Sequence, residues 1–339
     1  MKILVCGGAG YIGSHTTVEL LARGHEVVVL DNLSNASSRA VEHIAQISGR
    51  QIPLVEADVR DRDALDRILD DFRPDAVMHF AALKSVGESL ERPLDYFENN
   101  ISGTITLLQA MRAHGVRRLI FSSSATVYGL PDHCPVNESA PLSVTNPYGR
   151  TKLVMEQLIS DVVASDPTFR AGVLRYFNPA GAHPSGLLGE DPAGRPNNLL
   201  PYVAQVAIGR LPHVQVFGND YDTVDGTGVR DFIHVVDLAR AHVDTVDYLS
   251  REDCSLTVNL GTGRGYSVLE AIRAFEGASG RTIPYVIAPR RSGDVGACYA
   301  DPSLARKLLG WHAELDLDRM CEDAWRWQSL FPLGFATPA

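Results

Sequence analysis

The sequence predicts an α/β protein: a doubly wound parallel sheet joined to a smaller mixed α/β substrate-binding domain. Three observations carry this. Short apolar runs alternate with amphipathic stretches through residue 124, with no hairpin signal between them. The first run opens into a glycine-spaced turn and a helix, and the second run closes on an acid. Past residue 178 the texture changes to sequence rich in Gly, Pro and Asn, which marks a different folding unit.

The first strand is Ile3-Leu4-Val5-Cys6. Gly7, Gly10 and Gly13, spaced by three, form the turn that follows. A helix over 11–23 stops at Gly24, which tolerates the left-handed cap conformation. Val27-Val28-Val29-Leu30 is a second buried strand, closed by Asp31. Glycines in such a turn bring backbone N–H groups against a pyrophosphate at the helix N-terminus, the fingerprint of a Rossmann unit. Asp31 accepts hydrogen bonds from a ribose 2′-OH and repels a 2′-phosphate, so NAD is favoured over NADP.

The alternation continues with a helix over 37–48, a strand over 54–58, a helix over 62–71 and a strand over 75–80. Asp58 either binds an adenine amino group or caps the helix starting near Asp61. Ala81-Ala82-Leu83 is a small-residue exit that lets backbone approach a cofactor. A long helix is expected over 94–114 and a fifth strand over 118–124. A helix then carries Tyr148 and Lys152 to about Ser165, and a sixth strand covers 172–177. Beyond it come helices near 200–209, 235–250, 268–276, 302–309 and 317–329, with strands at 215–217 and 258–260. The domains read as 1–177 with 231–262 for the cofactor, and 178–230 with 263–339 for the substrate. Ligands of a doubly wound sheet bind at the carboxyl ends of its strands. Gly7–Gly13, Asp31, Asp58, Ala81 and Ser124 all fall at such ends.

A net charge of -10 argues against non-specific affinity for nucleic acid or anionic membrane. No run approaches the roughly 18 apolar residues of a membrane helix, and the opening apolar run is too short for a signal peptide. The five cysteines are scattered, odd in number and form no CxxC pair. A cytoplasmic setting without disulfide framework or metal site is the expectation.

The chemistry centres on Ser124, Tyr148 and Lys152. Ser124 stands at a strand end, while Tyr148 and Lys152 lie four apart on one helical face. A phenol of pKa about 10 becomes a general base at neutral pH when positive charge lowers that value. The Lys152 ammonium and a nicotinamide ring are two such charges. Ser124 binds the same substrate oxygen. Alone, Tyr148 and Lys152 read better as an exposed helical pair; with Ser124 and the nucleotide fingerprint in the same chain, alcohol oxidation on NAD is the better reading.

Gly7, Gly10 and Gly13, Ser124 and Tyr148-x-x-x-Lys152 resemble the extended short-chain dehydrogenase/reductase superfamily. Gly10-Tyr11-Ile12-Gly13-Ser14-His15, Leu83-Lys84-Ser85-Val86-Gly87-Glu88-Ser89, Ser122–Gly129, Arg175-Tyr176-Phe177-Asn178-Pro179 and Gly181–Gly186 resemble, more narrowly, the UDP-glucose 4-epimerase family. So do Pro196–Leu199, Arg230–Val235 and Pro289-Arg290-Arg291-Ser292-Gly293-Asp294, and the likeness spans almost the whole chain. It implies that Tyr148 takes the sugar 4-OH proton while the C4 hydride passes to tightly bound NAD. The 4-keto sugar then turns and is reduced on its other face.

The resemblance also implies cofactor contacts from Tyr11, Ile12, Asn32, Asn35, Val59, Phe80, Lys84, Asn99 and Tyr176, beside Gly7, Gly10, Gly13, Asp31, Asp58, Ala81, Ala82, Ser122, Tyr148 and Lys152. It implies UDP-sugar contacts from Asn178, Asn197, Asn198 and Leu199, from Phe217 against uracil, from Arg230 and Arg291 on the diphosphate and from Asp294 on the ribose. Lys84, Ser124, Tyr148 and Cys298 complete the substrate set. Paired arginines suit a diphosphate through bidentate donors. A homodimer through two helices per subunit, over 94–114 and 147–165, is implied as well.

Phe232 stands where the family usually has tyrosine, and Cys6 where threonine is usual. Cys298 stands where members carry either a tyrosine or a small residue; the small residue leaves room for a 2-acetamido group, so UDP-GlcNAc and UDP-GalNAc are expected as additional substrates. A nucleotide-sugar dehydratase needs an Asp-Glu pair after the strand-end hydroxyl, and here those places hold Ala125 and Thr126. A decarboxylase and a non-catalytic NAD-sensing regulator on the same fold remain as alternatives.

Overall fold

The computed structural model describes residues 1–192, 194, 196–252, 254–291 and 294–336 of the 339. Contacts divide the chain into two units: Met1–Gly129, Pro141–Tyr176 and Ala239–Val258 form the first, and Leu130–Ala140, Phe177–Leu238 and Asn259–Ala339 the second.

The first unit is built on strands β1 (Lys2–Cys6), β2 (Glu26–Asp31), β3 (Leu54–Glu56), β4 (Ala76–His79), β5 (Arg118–Ser124) and β6 (Arg170–Tyr176). Together with a later strand, Leu256–Leu260, they make a seven-stranded sheet in which β1 lies between β4 and β2, with β3 at one edge and Leu256–Leu260 at the other. The pairings β1–β2, β1–β4, β2–β3, β4–β5 and β5–β6 are all parallel. β1 and β4 are buried almost throughout. That explains their continuous apolar runs, because both faces of a parallel sheet are covered by helices.

Helices α1 (Tyr11–Ala22), α2 (Ser38–Ser48) and α3 (Arg62–Phe72) lie at or near their expected bounds. Their ends have local causes. The Ser37 hydroxyl accepts from Arg39 N and Gly49 closes α2 in the left-handed conformation. Asp61, not Asp58, caps α3, accepting from Ala64 N at 3.0 Å. The expected long helix over 94–114 is present as a continuous run of α5 (Pro93–Tyr96), a π-helical turn Phe97–Ser102 and α6 (Gly103–Ala113), and a short separate helix, α4 (Val86–Glu91), precedes it. The long helix α7 (Pro147–Ser165) starts with Asn146 accepting from Gly149 N at 2.8 Å and Pro147 in its first turn.

The second unit holds short strands, β7 (Asn178–Ala180), β8 (Val214–Phe217), β9 (Val229–Arg230) and β10 (Phe232–His234), and beyond these Tyr266–Ser267, Tyr285–Ala288 and Ala297–Cys298; of these only β8, expected over 215–217, is announced by the sequence. They pair as β10–β7, as β9 between Tyr266–Ser267 and Ala297–Cys298, and as Tyr285–Ala288 with β8. Helices α8 (Leu199–Ala207), Val268–Ser279 and Leu317–Leu330 cover a core that includes Phe232, Phe275 and Met320. Residues 130–140 and 231–238 fall in this unit, although the sequence reading gave them to the first. The reason is pairing: Val136 bridges Ala300, and Phe232–His234 pairs with Asn178–Ala180. Phe232 is buried in this core, so the family's tyrosine hydroxyl is replaced by apolar contact.

Candidate active site

At Gly7 and Gly13 the glycine turn is closed by backbone. Gly7 has a φ of +79, and a Cβ there would stand 2.6 Å from Ala81 N. A Cβ on Gly13 would stand 2.2 Å from Gly7 O. The first turn of α1 thereby sits directly on the end of β1, and no side chain caps its N-terminus at Gly10. Asp31, buried at the end of β2, reaches back to the turn: its Oδ2 accepts from Ala9 N at 3.0 Å and its Oδ1 from Leu33 N at 3.0 Å. Burial raises the pKa of this carboxyl, and the backbone donors oppose the rise. A helix N-terminus without a side-chain cap, beside a carboxylate with acceptor capacity to spare, fits a dinucleotide.

Ser124, Tyr148 and Lys152 converge at the end of β5. Lys152 Nζ donates to Ser122 O at 2.6 Å and lies 5.0 Å from the Phe121 ring centroid and 5.9 Å from that of Tyr148. Ser124 Oγ accepts from Thr126 N at 3.2 Å and from Thr126 Oγ1 at 3.0 Å. With two donors already received, its own proton points onward, and Tyr148 is its hydrogen-bond partner.

Burial pushes the Tyr148 phenol up to about 12, with the Ser124 hydroxyl opposing. Burial also pushes the Lys152 amine down to about 7, with the Glu156 carboxylate opposing. The expected lowering of Tyr148 rests on two positive charges, the Lys152 ammonium and a nicotinamide ring; among the chain's own groups desolvation outweighs the opposing Ser124 hydrogen bond.

The other cofactor candidates surround these groups in small sets. Lys84 Nζ lies 5.9 Å from the Tyr11 ring centroid. Asn32 Nδ2 donates to Asp58 Oδ2 at 2.9 Å, and Arg60 grips the same carboxylate with Nε and Nη2, each at 2.8 Å. Those donors hold Asp58 well below the usual carboxylate range. Asn35 is exposed, while Val59 packs against Gly103. Phe80 lies 4.9 Å from the His242 ring, and His242 Nε2 is hydrogen-bonded to Tyr176 OH.

Asn99 Nδ2 donates to its neighbour Asn100, at 2.9 Å to Oδ1. Asn100 is a residue the sequence reading missed. Wholly buried, it accepts from Leu83 N at 2.8 Å and donates to Leu83 O at 3.0 Å and to Thr151 Oγ1 at 3.0 Å. It ties the exit of β4 to the turn of α7 beside Lys152. The signal was an Asn-Asn pair inside a helical pattern, where the residue type is unfavourable.

In the second unit two groups of substrate candidates assemble. The Arg291 guanidinium lies over the Phe217 ring at 4.4 Å and donates through Nε to Asp294 Oδ2 at 3.0 Å. Ser292 and Gly293 of the same motif lie outside the described residues. Arg230 pairs in register with Cys298, and its Nη1 donates to Val229 O and Val295 O at 2.9 and 3.0 Å. Burial pushes the Cys298 thiol up to about 11, which makes it a packing group and not a nucleophile at neutral pH. Asn178 N donates to Asp231 O at 3.0 Å. Asn197 is exposed, and Asn198 precedes α8, which begins at Leu199, and donates to Glu190 Oε1 at 2.9 Å. Among the described residues no group of three or more His, Cys, Asp or Glu side chains is placed to hold a metal, and no helix is long and apolar enough to cross a membrane.

A phosphate cradle at one strand end, an acid at the next, and a Ser/Tyr/Lys set at a third define a dinucleotide-dependent enzyme of the short-chain dehydrogenase type. The chain belongs to the NAD dependent epimerase/dehydratase family, whose model matches residues 3–261. It is 55% identical to the UDP-glucose 4-epimerase of Bacillus subtilis over 97% of both chains. A UDP-glucose 4-epimerase from Stenotrophomonas maltophila, solved with bound NAD and formylated UDP-arabinopyranose, is 55% identical with a TM-score of 0.96, covering 98% of this chain and 99% of that one. The UDP-glucose 4-epimerase from Bifidobacterium longum, in complex with NAD+ and UDP, is 52% identical with a TM-score of 0.96, covering 99% and 100%.

Proposed function

We propose that this chain interconverts UDP-glucose and UDP-galactose by inverting the configuration at C4 of the sugar, with NAD as resident cofactor. The observation that carries the reading is Ser124 hydrogen-bonded to Tyr148 beside the buried Lys152, followed by Ala125 and Thr126 where a dehydratase needs acids. Tyr148 accepts the proton of the 4-hydroxyl and later returns it. Ser124, its own proton directed onward by the two Thr126 donors, binds the oxygen that changes charge. Lys152 holds positive charge beside the phenolate that forms. Bound NAD supplies the acceptor and donor of the C4 hydride and a positive ring that lowers the Tyr148 pKa.

Gly7, Gly10, Tyr11, Ile12 and Gly13 are the residues to hold the pyrophosphate, and Asp31 the adenosine ribose. Because oxidation and reduction cancel, the cofactor need not leave. Inversion also requires a sugar held loosely on a UDP held firmly. Phe217, Arg230, Arg291 and Asp294 are the groups of the second unit suited to that anchor. The test is release of UDP-glucose from UDP-galactose by the purified protein without added NAD, with UDP-glucuronate as a second arm. An inert protein, or one that decarboxylates UDP-glucuronate, overturns the reading.

Cys298 supports a second pair of substrates. It presents a small side chain beside Arg230 where a tyrosine would project, so UDP-GlcNAc and UDP-GalNAc are also interconverted. Cys298→Tyr should abolish turnover of the N-acetyl pair and spare the glucose pair; a wild type inert toward the N-acetyl pair sinks this. A homodimer is supported by Leu90, Leu94 and Ile105, large apolar side chains exposed on α4, α5 and α6. Light scattering of the purified protein tests it. The five cysteines are all free thiols, in keeping with a cytoplasmic setting.

A further inference from the structure

Behind the Ser/Tyr/Lys set lies a second polar cluster that the proposed chemistry does not use. Glu156 follows Lys152 by one turn of α7, and both side chains are buried. Arg175 of β6 grips Glu156 in a fork, Nε to Oε1 at 3.0 Å and Nη2 to Oε2 at 2.7 Å. Its remaining arm, Nη1, donates to Tyr128 OH at 2.9 Å. Ser123 Oγ donates to Glu156 Oε1.

The partners of Glu156 sit next to the reacting groups along each chain segment. Ser123 lies between Ser122, whose carbonyl receives Lys152, and Ser124. Arg175 is opposite Ser123 in the β5–β6 register. Tyr128 ends the short turn that begins at Ala125. A buried ion pair is a weak source of stability, and an apolar pair of the same volume is often as good. Fold stability alone therefore does not account for the arrangement.

We infer that Glu156, fixed by Arg175 and Ser123, is a positioning residue for the reaction: it locks the turn of α7 bearing Tyr148 and Lys152 against the end of β5 bearing Ser124, and sets a carboxylate one helical turn from the Lys152 ammonium. This rests on the reading of Tyr148 and Lys152 as the proton-handling pair.

The charged and titratable groups around Lys152 make the electrostatic part specific. On α7 they are Tyr148 and Glu156, on β4 His79, and on β6 Arg175 and Tyr176. His79 is pushed down to about 3 by burial and by the Lys152 charge, so it is neutral. Tyr176 is raised by burial and is neutral too. Glu156 is thus the anion of this set, and it opposes the desolvation that drives Lys152 toward its neutral form.

The sequence contains four lysines, Lys2, Lys84, Lys152 and Lys307, so lysine labelled with 13C at Cε gives a spectrum in which Lys152 can be followed directly in the NAD-loaded protein. In Glu156→Gln the Lys152 titration midpoint should fall by about one pH unit. The alkaline limb of kcat should move down with it, while KM for UDP-galactose changes less than about twofold. Glu156→Gln leaves Arg175 buried without its anion, which puts the fold at risk; the neutral double variant Glu156→Gln/Arg175→Met removes both charges and keeps the shape. Its midpoint should lie between those of Glu156→Gln and wild type, and below wild type when it alone folds. A Lys152 midpoint unchanged in the double variant overturns the inference. Because the titration needs no turnover, its failure is distinct from a failure of the epimerase reading, which appears as an inert wild type.

Discussion

Lys152 Nζ donates to the backbone carbonyl of Ser122 at 2.6 Å. The cation is therefore located by the strand that also carries Ser124, not by the helical spacing of Tyr148 and Lys152 alone. A main-chain acceptor two residues before Ser124 holds the ammonium of α7 against the end of β5 that carries the hydroxyl, the fixed placement that preorganised electrostatics requires.

The proposed function gives Tyr148 the proton transfer. Its phenol is the hydrogen-bond partner of Ser124, whose own acceptor capacity is taken by Thr126. Tyr148→Phe should lower kcat for UDP-galactose by about 10²–10⁴-fold, the usual contribution of a positioned general base. The buried ring is retained, so thermal stability and NAD content of the purified protein should stay near wild type. Activity within about tenfold of wild type would assign the base elsewhere.

Lys152 gives stability a pH dependence of predictable sign. Its folded pKa, about 7, lies below the ordinary lysine value of 10.5. Between these values the unfolded chain binds more protons than the native one, so stability rises with pH through this window. Below pH 7 the native state carries the full penalty of a buried ammonium. Lys152→Met should then be more stable than wild type by a few degrees at pH 6, with the gap closing toward pH 9, measured by thermal melts at fixed ionic strength. A gap that stays constant or widens with pH contradicts the assignment.

The parallel sheet was legible because its strands are buried on both faces and read as continuous apolar runs, as in Val27-Val28-Val29-Leu30. The glycine turn, Asp31, Ser124 and the Tyr148/Lys152 spacing were legible because each is local. Asn100 was not, because its partners, Leu83 and Thr151, come from distant segments and the π-helical turn it occupies answers to them. Glu156 and Arg175 were hidden for the same reason: the pair is made by a helix and a strand coming together. The strands of the second unit, such as Val229–Arg230, are too short for a period of two to show.

Gly13 tests how tightly the cradle is built. A Cβ there would meet Gly7 O at 2.2 Å and Gly8 Cα at 2.8 Å, both backbone atoms at the root of the first helix. Relief requires α1 to move off β1. Gly13→Ala should lower stability by about 1–3 kcal/mol, typical of overpacking, and should reduce the NAD retained through purification. Urea denaturation and the nucleotide absorbance of the acid-released fraction measure the two effects. A variant with wild-type NAD content would show that the helix N-terminus tolerates displacement.

Asp31 tests the other end of the cradle. Its two oxygens fix Ala9 N and Leu33 N, each at 3.0 Å, and keep acceptor capacity for a ribose. Hydrogen bonds to a charged group contribute about 1.5–3 kcal/mol each, which corresponds to about 10- to 100-fold in affinity for one bond lost. Asp31→Ala should therefore purify depleted of NAD and recover turnover when NAD is added in excess. Removing the negative charge also removes the repulsion of a 2′-phosphate, so the preference for NAD over NADP should narrow in the same variant. Unchanged retention together with unchanged cofactor preference would place the adenosine ribose away from the end of β2.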